Sequence, residues 1–304
     1  MSSSRKWLRG VSWTALAVGS LLFFSILKLP DARLKAYIHG VIAAQLGAQG
    51  ITFTATESAL GLLLGPRYTL RGVTLEFPPP RAAVKLDELT VKPSLLATLL
   101  GKAGGSISLV QGDSSLSGTV YTRFSGRPWY QVDLDFERLN LGRLGVFSAA
   151  AGVQASALLN GSLAGTFDLD NLKDSQGKVD LQITKCVIDA QNIQGFAVPR
   201  LSISESRVEA SIQGDQVAFK TLKIGKAGSA DDLIATLTGK ATLNRFLASS
   251  SLDLTANFSV SQNIQKSFAI LDALLAPGKQ ADGSYSYKLG GAVNALFPTP
   301  IPAK

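Results

Sequence analysis

The sequence predicts a mainly β protein: a long curved antiparallel sheet, half-open as a groove, with short capping helices and an N-terminal transmembrane helix. Three observations predict it. From Ile51 onward apolar and polar residues alternate with period two, the mark of strands with one buried face. Several of these strands change apolar phase midway, as a bulge or bend requires, and repeated bends curl a sheet. Ahead of them one long apolar run stands near the N-terminus.

That run is Val11 to Leu27, VSWTALAVGSLLFFSIL, bracketed by Arg5, Lys6 and Arg9 before it and Lys28 after it. Counted from Trp7 to Leu29 it is long enough to cross a hydrocarbon core as a tilted helix, which takes roughly 20 residues. Val11, Leu16, Leu21, Leu22, Phe23, Phe24, Ile26 and Leu27 are its expected membrane-anchor residues. A cleaved signal peptide shares the basic start and apolar middle, but ends in small residues at the cleavage site. Here the run ends Ser25-Ile26-Leu27-Lys28-Leu29-Pro30, so a retained anchor is expected. The basic cluster ahead of it places the amino terminus in the cytoplasm and the rest of the chain across the membrane. Gly10, Gly19 and Ser20 are of the small type found where membrane helices approach closely.

Charge narrows the partners. The chain carries a formal net charge of +8, but the first 35 residues hold a disproportionate share of the cations, and the remainder is nearly neutral. Its Lys and Arg are scattered singly among acids, without an aromatic-interleaved basic stripe, so no nucleic-acid partner is expected. Cys186 is the only cysteine, which excludes an intrachain disulfide and suits a small buried apolar side chain.

Taken in order, residues 1–30 form the cytoplasmic start and anchor, and 31–50 a juxtamembrane amphipathic helix. Residues 51–297 form the sheet domain, and 298–304 a flexible extended tail. The helix over Asp31 to Leu46 follows Pro30 and is closed by Gly47 and Gly50. Leu34, Ile38, Val41, Ile42 and Leu46 give it an apolar stripe fit for a bilayer surface or for capping the sheet. His39, the only histidine, has no clustered partner and is a solvated or packed side chain.

The clearest strand is Ala155 to Leu169, with Leu159, Gly161, Leu163, Gly165 and Phe167 on one side and Asn160, Ser162, Thr166 and Asp168 on the other. Tyr130 to Glu137 and Ser251 to Val260 alternate in the same way. Arg67 to Phe77 changes phase at Arg71-Gly72, and Val84 to Val91 between Leu86 and Leu89. A weak repeat, Leu-x-Gly-x-apolar, recurs at Leu116, Leu159, Leu237 and Leu289, although glycine inside a strand weakens it unless a bend or close approach needs it. Pro93 to Leu100, Leu141 to Ala151 and Asn263 to Leu275 break the alternation as short helices, the last presenting Ile264, Phe268, Leu271 and Leu275 on one face.

Chemistry needs a clustered nucleophile and base, converging carboxylates or metal-ligand spacing. One His and one Cys far apart supply neither a triad nor a metal site. The paired acids Asp87-Glu88 and Asp133/Asp135 fall in alternating strands, where such pairs are solvent-face residues. Gly101-Lys102-Ala103-Gly104-Gly105 lacks the order of a phosphate loop. No catalytic residue, cofactor site or metal site is expected, and the chain is expected not to be an enzyme.

The stretch Leu86-Asp87-Glu88-Leu89-Thr90-Val91-Lys92-Pro93-Ser94-Leu95-Leu96-Ala97-Thr98-Leu99-Leu100-Gly101 runs from a strand into a Pro-Ser-Leu-Leu helix. Together with the span, the helix ending at Gly47, Leu159-Asn160-Gly161-Ser162-Leu163, Val198-Pro199-Arg200-Leu201, Ser250-Ser251-Leu252-Asp253-Leu254 and Asp282-Gly283-Ser284-Tyr285, it resembles the type II secretion system protein N (GspN) family of Gram-negative bacteria. That family is similar in turn to the AsmA-like proteins, periplasmic β-structures anchored in the inner membrane. The resemblance implies a single-pass inner-membrane protein with a periplasmic C-terminal domain. Its implied function is that of a non-enzymatic component or accessory of type II protein secretion, whose partners are the inner membrane and other secretion subunits. It transfers no functional residue, because the matching residues are fold-forming ones. The alternative function is an AsmA-like lipid-binding or lipid-transport groove lined by Leu159, Leu163, Phe167, Leu252, Leu254 and Phe258; an ordinary sheet core would use the same residues.

Overall fold

The computed structural model of the chain describes residues 31–48, 50–61, 65–76, 83–124, 129–145, 147–148, 152–168, 170–193, 196–244, 249–267, 270–293 and 295–303. The expected anchor, with all its anchor residues, lies outside them. Among the described residues no helix is long and apolar enough to cross a membrane.

The fold is mainly β. Fourteen strands form one antiparallel sheet in the order β1 (Thr52–Gly61), β2 (Arg67–Glu76), β3 (Ala83–Pro93), β4 (Lys102–Gln111), β5 (Ser114–Arg123), β6 (Trp129–Asn140), β7 (Ala155–Asp168), β8 (Gln176–Ile188), β11 (Leu201–Gln213), β12 (Gln216–Ile224), β13 (Leu233–Thr242), β14 (Ser251–Val260), β15 (Tyr285–Ala292) and β16 (Ala295–Pro300). β1 and β16 are the two edges, so the sheet is open. The remaining strands, β9 (Gln191–Ile193) and β10 (Phe196–Val198), pair only with each other. Because consecutive strands are antiparallel, every second connection emerges on the same rim. The first rim carries the longer ones, 141–154, 189–200 and 261–284; the second carries 94–101, 169–175 and the tight turn at Gly214-Asp215.

Helix α1 (Asp31–Gly47) leads into β1. Ile38, Ile42 and Leu46 pack on a buried cluster of Phe53, Tyr68, Leu70, Val73, Val84 and Leu86 from β1–β3. His39 packs its ring 5.0 Å from that of Phe53. Val41, expected in the same stripe, is 50% exposed. It lies one position before Ile42, outside the narrow arc that meets the sheet.

Both expected phase changes occur. Leu70 and Val73 are each 1% exposed and share the first cluster, although three residues apart on one strand. Gly72, at φ 56°, makes the turn of phase between them. On β3, Leu86 and Leu89 reach the same cluster. The alternation of β6 and β14 is retained in burial, with residues 131, 133, 135 and 137 and residues 251, 253, 257 and 259 exposed.

Asp168, expected on the wet side of β7, is buried. Its carboxylate turns back and accepts the backbone N–H groups of Asp170 and Asn171, closing the turn into β8. The C-terminal prolines differ more. Pro298 and Pro300, read in sequence as part of a mobile tail, belong to β16 and lie opposite Leu289 and Tyr287. Proline is tolerated there because an edge strand has one side without a hydrogen-bond partner. Beyond it the Ile301 N–H donates to Ser286 O at 3.0 Å, and Gln280 Nε2 donates to Ile301 O at 2.8 Å. The segment expected as one amphipathic helix is two, α3 (Gln262–Ser267) and α4 (Ile270–Leu275), of which Ile264 is buried. Tyr285 Oη donates to Asp272 at 2.9 Å and holds α4 on β15.

Candidate functional site

The strand registers set apolar residues side by side on one face. One row passes from Leu70 through Leu89, Leu109, Leu116 and Phe136 to Gly161, and continues through Leu181 and Val208 to Leu222. It crosses β2 to β12 without a polar side chain. A second row runs Ile107, Gly118, Leu134, Leu163, Val179, Ala210, Phe219. A third runs Val120, Val132, Gly165, Gly177, Ile212, Val217, Ala241, Leu252. Residue 161 breaks the first row's bulk because its backbone is bent. Gly161 has φ 127°, and a Cβ there would stand 2.0 Å from Asp180 O on β8. Gly239 repeats the geometry at φ 139°, 2.1 Å from Asp253 O on β14. Only glycine fits either site.

The six residues singled out from sequence all lie on this face. Leu163 sits between Leu134 and Val179 in the second row. Leu159 packs against the buried trio Leu139, Leu141 and Ala157. Phe167 reaches over Gly165 and Gly177, where any added side chain would meet its ring. Leu252 and Phe167 pack on one buried cluster of Ala210, Ile212, Val217 and Ala241, although four strands separate β7 from β14. Leu254 is buried in register with Gly239 and Leu289, and Phe258 stacks on Tyr285 at 5.5 Å. The sequence list omits Leu134, Val179, Leu181 and Phe219, equal members of the rows. Their alternation is as legible as that of β7, but only the register shows that the rows join.

Among the described residues, three elements lie on this face. α1 covers β1–β3, and Leu141, Leu144 and Phe147 cover the first-rim half of β4–β8. The α3–α4 segment meets Tyr285 and Tyr287, where Tyr287 Oη donates to Leu274 O at 3.3 Å. In the second row Leu134, Leu163, Val179 and Phe219 are half-buried, whereas Ala210 of that row and Ile212, Val217 and Ala241 of the third are buried.

The opposite face is wet. It carries Arg207 paired with Glu209 at 2.7 Å, Arg71 with Glu88 at 3.3 Å and Lys288 with Asp253 at 3.2 Å. Exposed pairs of this kind contribute about 0–1 kcal/mol each, so their role is solvation of a strand face. A hollow of about 430 Å³ over β6–β8 and β11 is lined by Gln131, Asp133, Thr166, Lys178 and Gln213 among others.

Asp87 and the adjacent acids Asp231 and Asp232 are fastened to backbone. Asp87 accepts the Gly112 N–H, and Asp232 accepts Ser202 N–H at 2.8 Å and Ser261 Oγ–H at 2.7 Å. Asp231 accepts Ser204 N–H, Ser204 Oγ–H and Lys226 N–H at 2.7–2.8 Å. Burial pushes the Asp231 carboxyl up, but its hydrogen bonds from Lys226, Ser204 and Ser229 outweigh it and the net displacement is below the usual carboxylate range. These acids latch first-rim connections to the sheet. Among the described residues no group of three His, Cys, Asp or Glu side chains could hold a metal ion.

No family model matches the chain, and no curated protein and no solved structure matches it.

Proposed function

We propose that the chain is a non-enzymatic, membrane-anchored envelope protein whose sheet curves into a half-open, AsmA-like groove that shields the acyl chains of lipid. The single observation that carries this is the set of apolar rows crossing the sheet from β2 to β14, half-buried at Leu134, Leu163, Val179 and Phe219 and backed by a charged, solvated face. An ordinary domain covers such a face with a second layer. Among the described residues the covering elements cluster at the first rim and at the two ends. Fourteen strands spaced about 4.8 Å apart give a groove of roughly 60 Å, long against one acyl chain. The bulges between Phe136 and Leu139 and between Ser156 and Leu158, with the bent glycines, supply the curvature.

The test is lipid co-purification of the full chain extracted from membranes, compared between Leu163→Asp and Ala164→Asp. Leu163 lies on the apolar rows and Ala164 on the opposite face. Diacyl lipid accompanying the parent and Ala164→Asp, but lost from Leu163→Asp, is the expected result. Equal lipid in both variants, or none in the parent, refutes the groove.

A second reading is favoured by the ordered likeness of residues 86–101 and the later segments to type II secretion protein N: an inner-membrane-anchored periplasmic accessory of type II secretion, acting on other secretion subunits. A clean deletion tests it. Periplasmic build-up of normally exported proteins with an intact outer membrane supports it; normal export with a detergent-sensitive outer membrane favours lipid handling alone.

A further inference from the structure

Helix α2 (Leu95–Leu99), between β3 and β4, is inside out. Its N-cap Ser94 accepts the Ala97 N–H at 3.2 Å, and Ser94 N–H donates to Gly104 O at 2.9 Å, which fixes the helix across the second rim. The side facing the sheet offers Ala97, which is buried, while Leu95, Leu96, Leu99 and Leu100 are 61–84% exposed. Beside them Phe124, bonded through its N–H to Gly101 O, is 60% exposed. A soluble surface seldom gathers five large apolar side chains in one place, and a contiguous patch of this kind marks an interaction site.

The chemistry around the patch selects the occupant. Lys102 Nζ stands 5.3 Å and the Arg123 guanidinium 5.0 Å from the centre of the Trp129 ring. Lys102 and Arg123 are register partners on β4 and β5, and Lys92 is exposed on the adjoining end of β3. Leucines on the connection, with a tryptophan and its flanking cations level with one another at the strand ends, bring together the side chains that meet a bilayer surface: apolar ones for acyl chains, an aromatic for the interface and cations for anionic headgroups. The patch also lies at the β1 end of the sheet. β1 to β5 span about 20 Å at strand spacing, and α1, which follows the expected anchor directly, packs on β1–β3.

We propose that α2 and Phe124 dip into the surface of an anionic bilayer, the same one that residues 1–30 enter, and seat the β1 end of the groove on it. This rests on the membrane-anchored reading above but not on lipid occupying the groove.

Trp129 reports on it. In the full chain with Trp7→Phe and Trp13→Phe, Trp129 is the only tryptophan. The protein is reconstituted into phosphatidylethanolamine vesicles with and without phosphatidylglycerol, and co-flotation is measured beside Trp129 emission and its quenching by brominated lipid. The expected result is co-flotation, blue-shifted emission and quenching that weakens without phosphatidylglycerol. Leu96→Ser/Leu99→Ser should lose most of the quenching while still co-floating and keeping the parent's circular dichroism, since both side chains are already exposed. Co-flotation with Trp129 unquenched, or quenching unchanged in the leucine variant or without anionic lipid, overturns the docking while leaving the anchor standing. Failure to co-float overturns both.

Discussion

Replacing Gly161 by alanine adds one methyl group to a strand and is expected to destabilise the protein well beyond a surface change. The added Cβ would stand 2.0 Å from Asp180 O and 2.9 Å from Leu181 Cα, both backbone atoms that no rotamer change can move aside. The backbone φ of 127° lies where a side-chain-bearing residue is strained by about 1–3 kcal/mol. Relieving the clash costs about 1–3 kcal/mol more through strand displacement. The sum is about 2–6 kcal/mol, or at least about 4 °C in melting temperature for a domain of this size. Gly290 is the matched control: it is also a strand glycine, yet nothing lies within 4 Å of its added Cβ. Gly290→Ala is expected to leave stability unchanged or raise it by up to about 1 kcal/mol through a less flexible unfolded chain. Thermal and denaturant unfolding of the full chain in a single detergent, followed by circular dichroism, measures both. Coincident melting of Gly161→Ala with the parent, or an equal loss in Gly290→Ala, would refute the claim that the recurring glycines are bending points.

Two further outcomes are expected. Asp231→Asn keeps one acceptor but loses the oxygen shared by Ser204 Oγ–H and Lys226 N–H, costing about 1–3 kcal/mol at neutral pH. Because the native carboxyl is held below its ordinary range, its stabilisation is fully present above about pH 4 and is lost as pH falls from there through the lower native value. Acid titration of unfolding should therefore be shallower in the variant, and parallel curves would count against the latch. Cys186 packs beside Leu139, Leu141 and Ala157, and burial raises its thiol above the usual range. Its reaction with a disulfide reagent at pH 8 should be at least about tenfold slower in the native than in the unfolded protein. Equal rates would place the thiol outside that cluster.

Much of the fold is legible because strands with one dry face write their period into the chain. The alternation around Leu134, Leu163 and Leu254 marks the strands, the parity break at Arg71-Gly72 marks a bend, and Leu-x-Gly marks the points at Gly161 and Gly239 where backbone approaches backbone. The helix over 31–47 is equally plain from its proline and glycine boundaries. Other features mislead or stay silent for reasons that are themselves physical. Pro298 and Pro300 read as part of a free tail because proline cannot sit in a central strand, and only the pairing with β15 shows that an edge was waiting for them. Asp231 and Asp232 are adjacent in sequence, but apart from Lys226 in their own connection their partners Ser202, Ser204 and Ser261 come from β11 and from the connection after β14. Leu95 to Leu100 reads as a short apolar helix, and local periodicity says nothing of which side faces the sheet when the helix is barely more than one turn long.

By itself, then, the sequence determined that the chain is β-rich, where its strands run, where they bend and which side of each is apolar, since these depend on residues two or three positions apart. Tertiary structure alone decided that the fourteen strands follow one another in a single open sheet, that their apolar sides join into rows from Leu70 to Leu222, and that the three leucines of α2 and Leu100 after it face outward. Those depend on register between distant segments, which the chain acquires only when its backbone hydrogen bonds have chosen their partners.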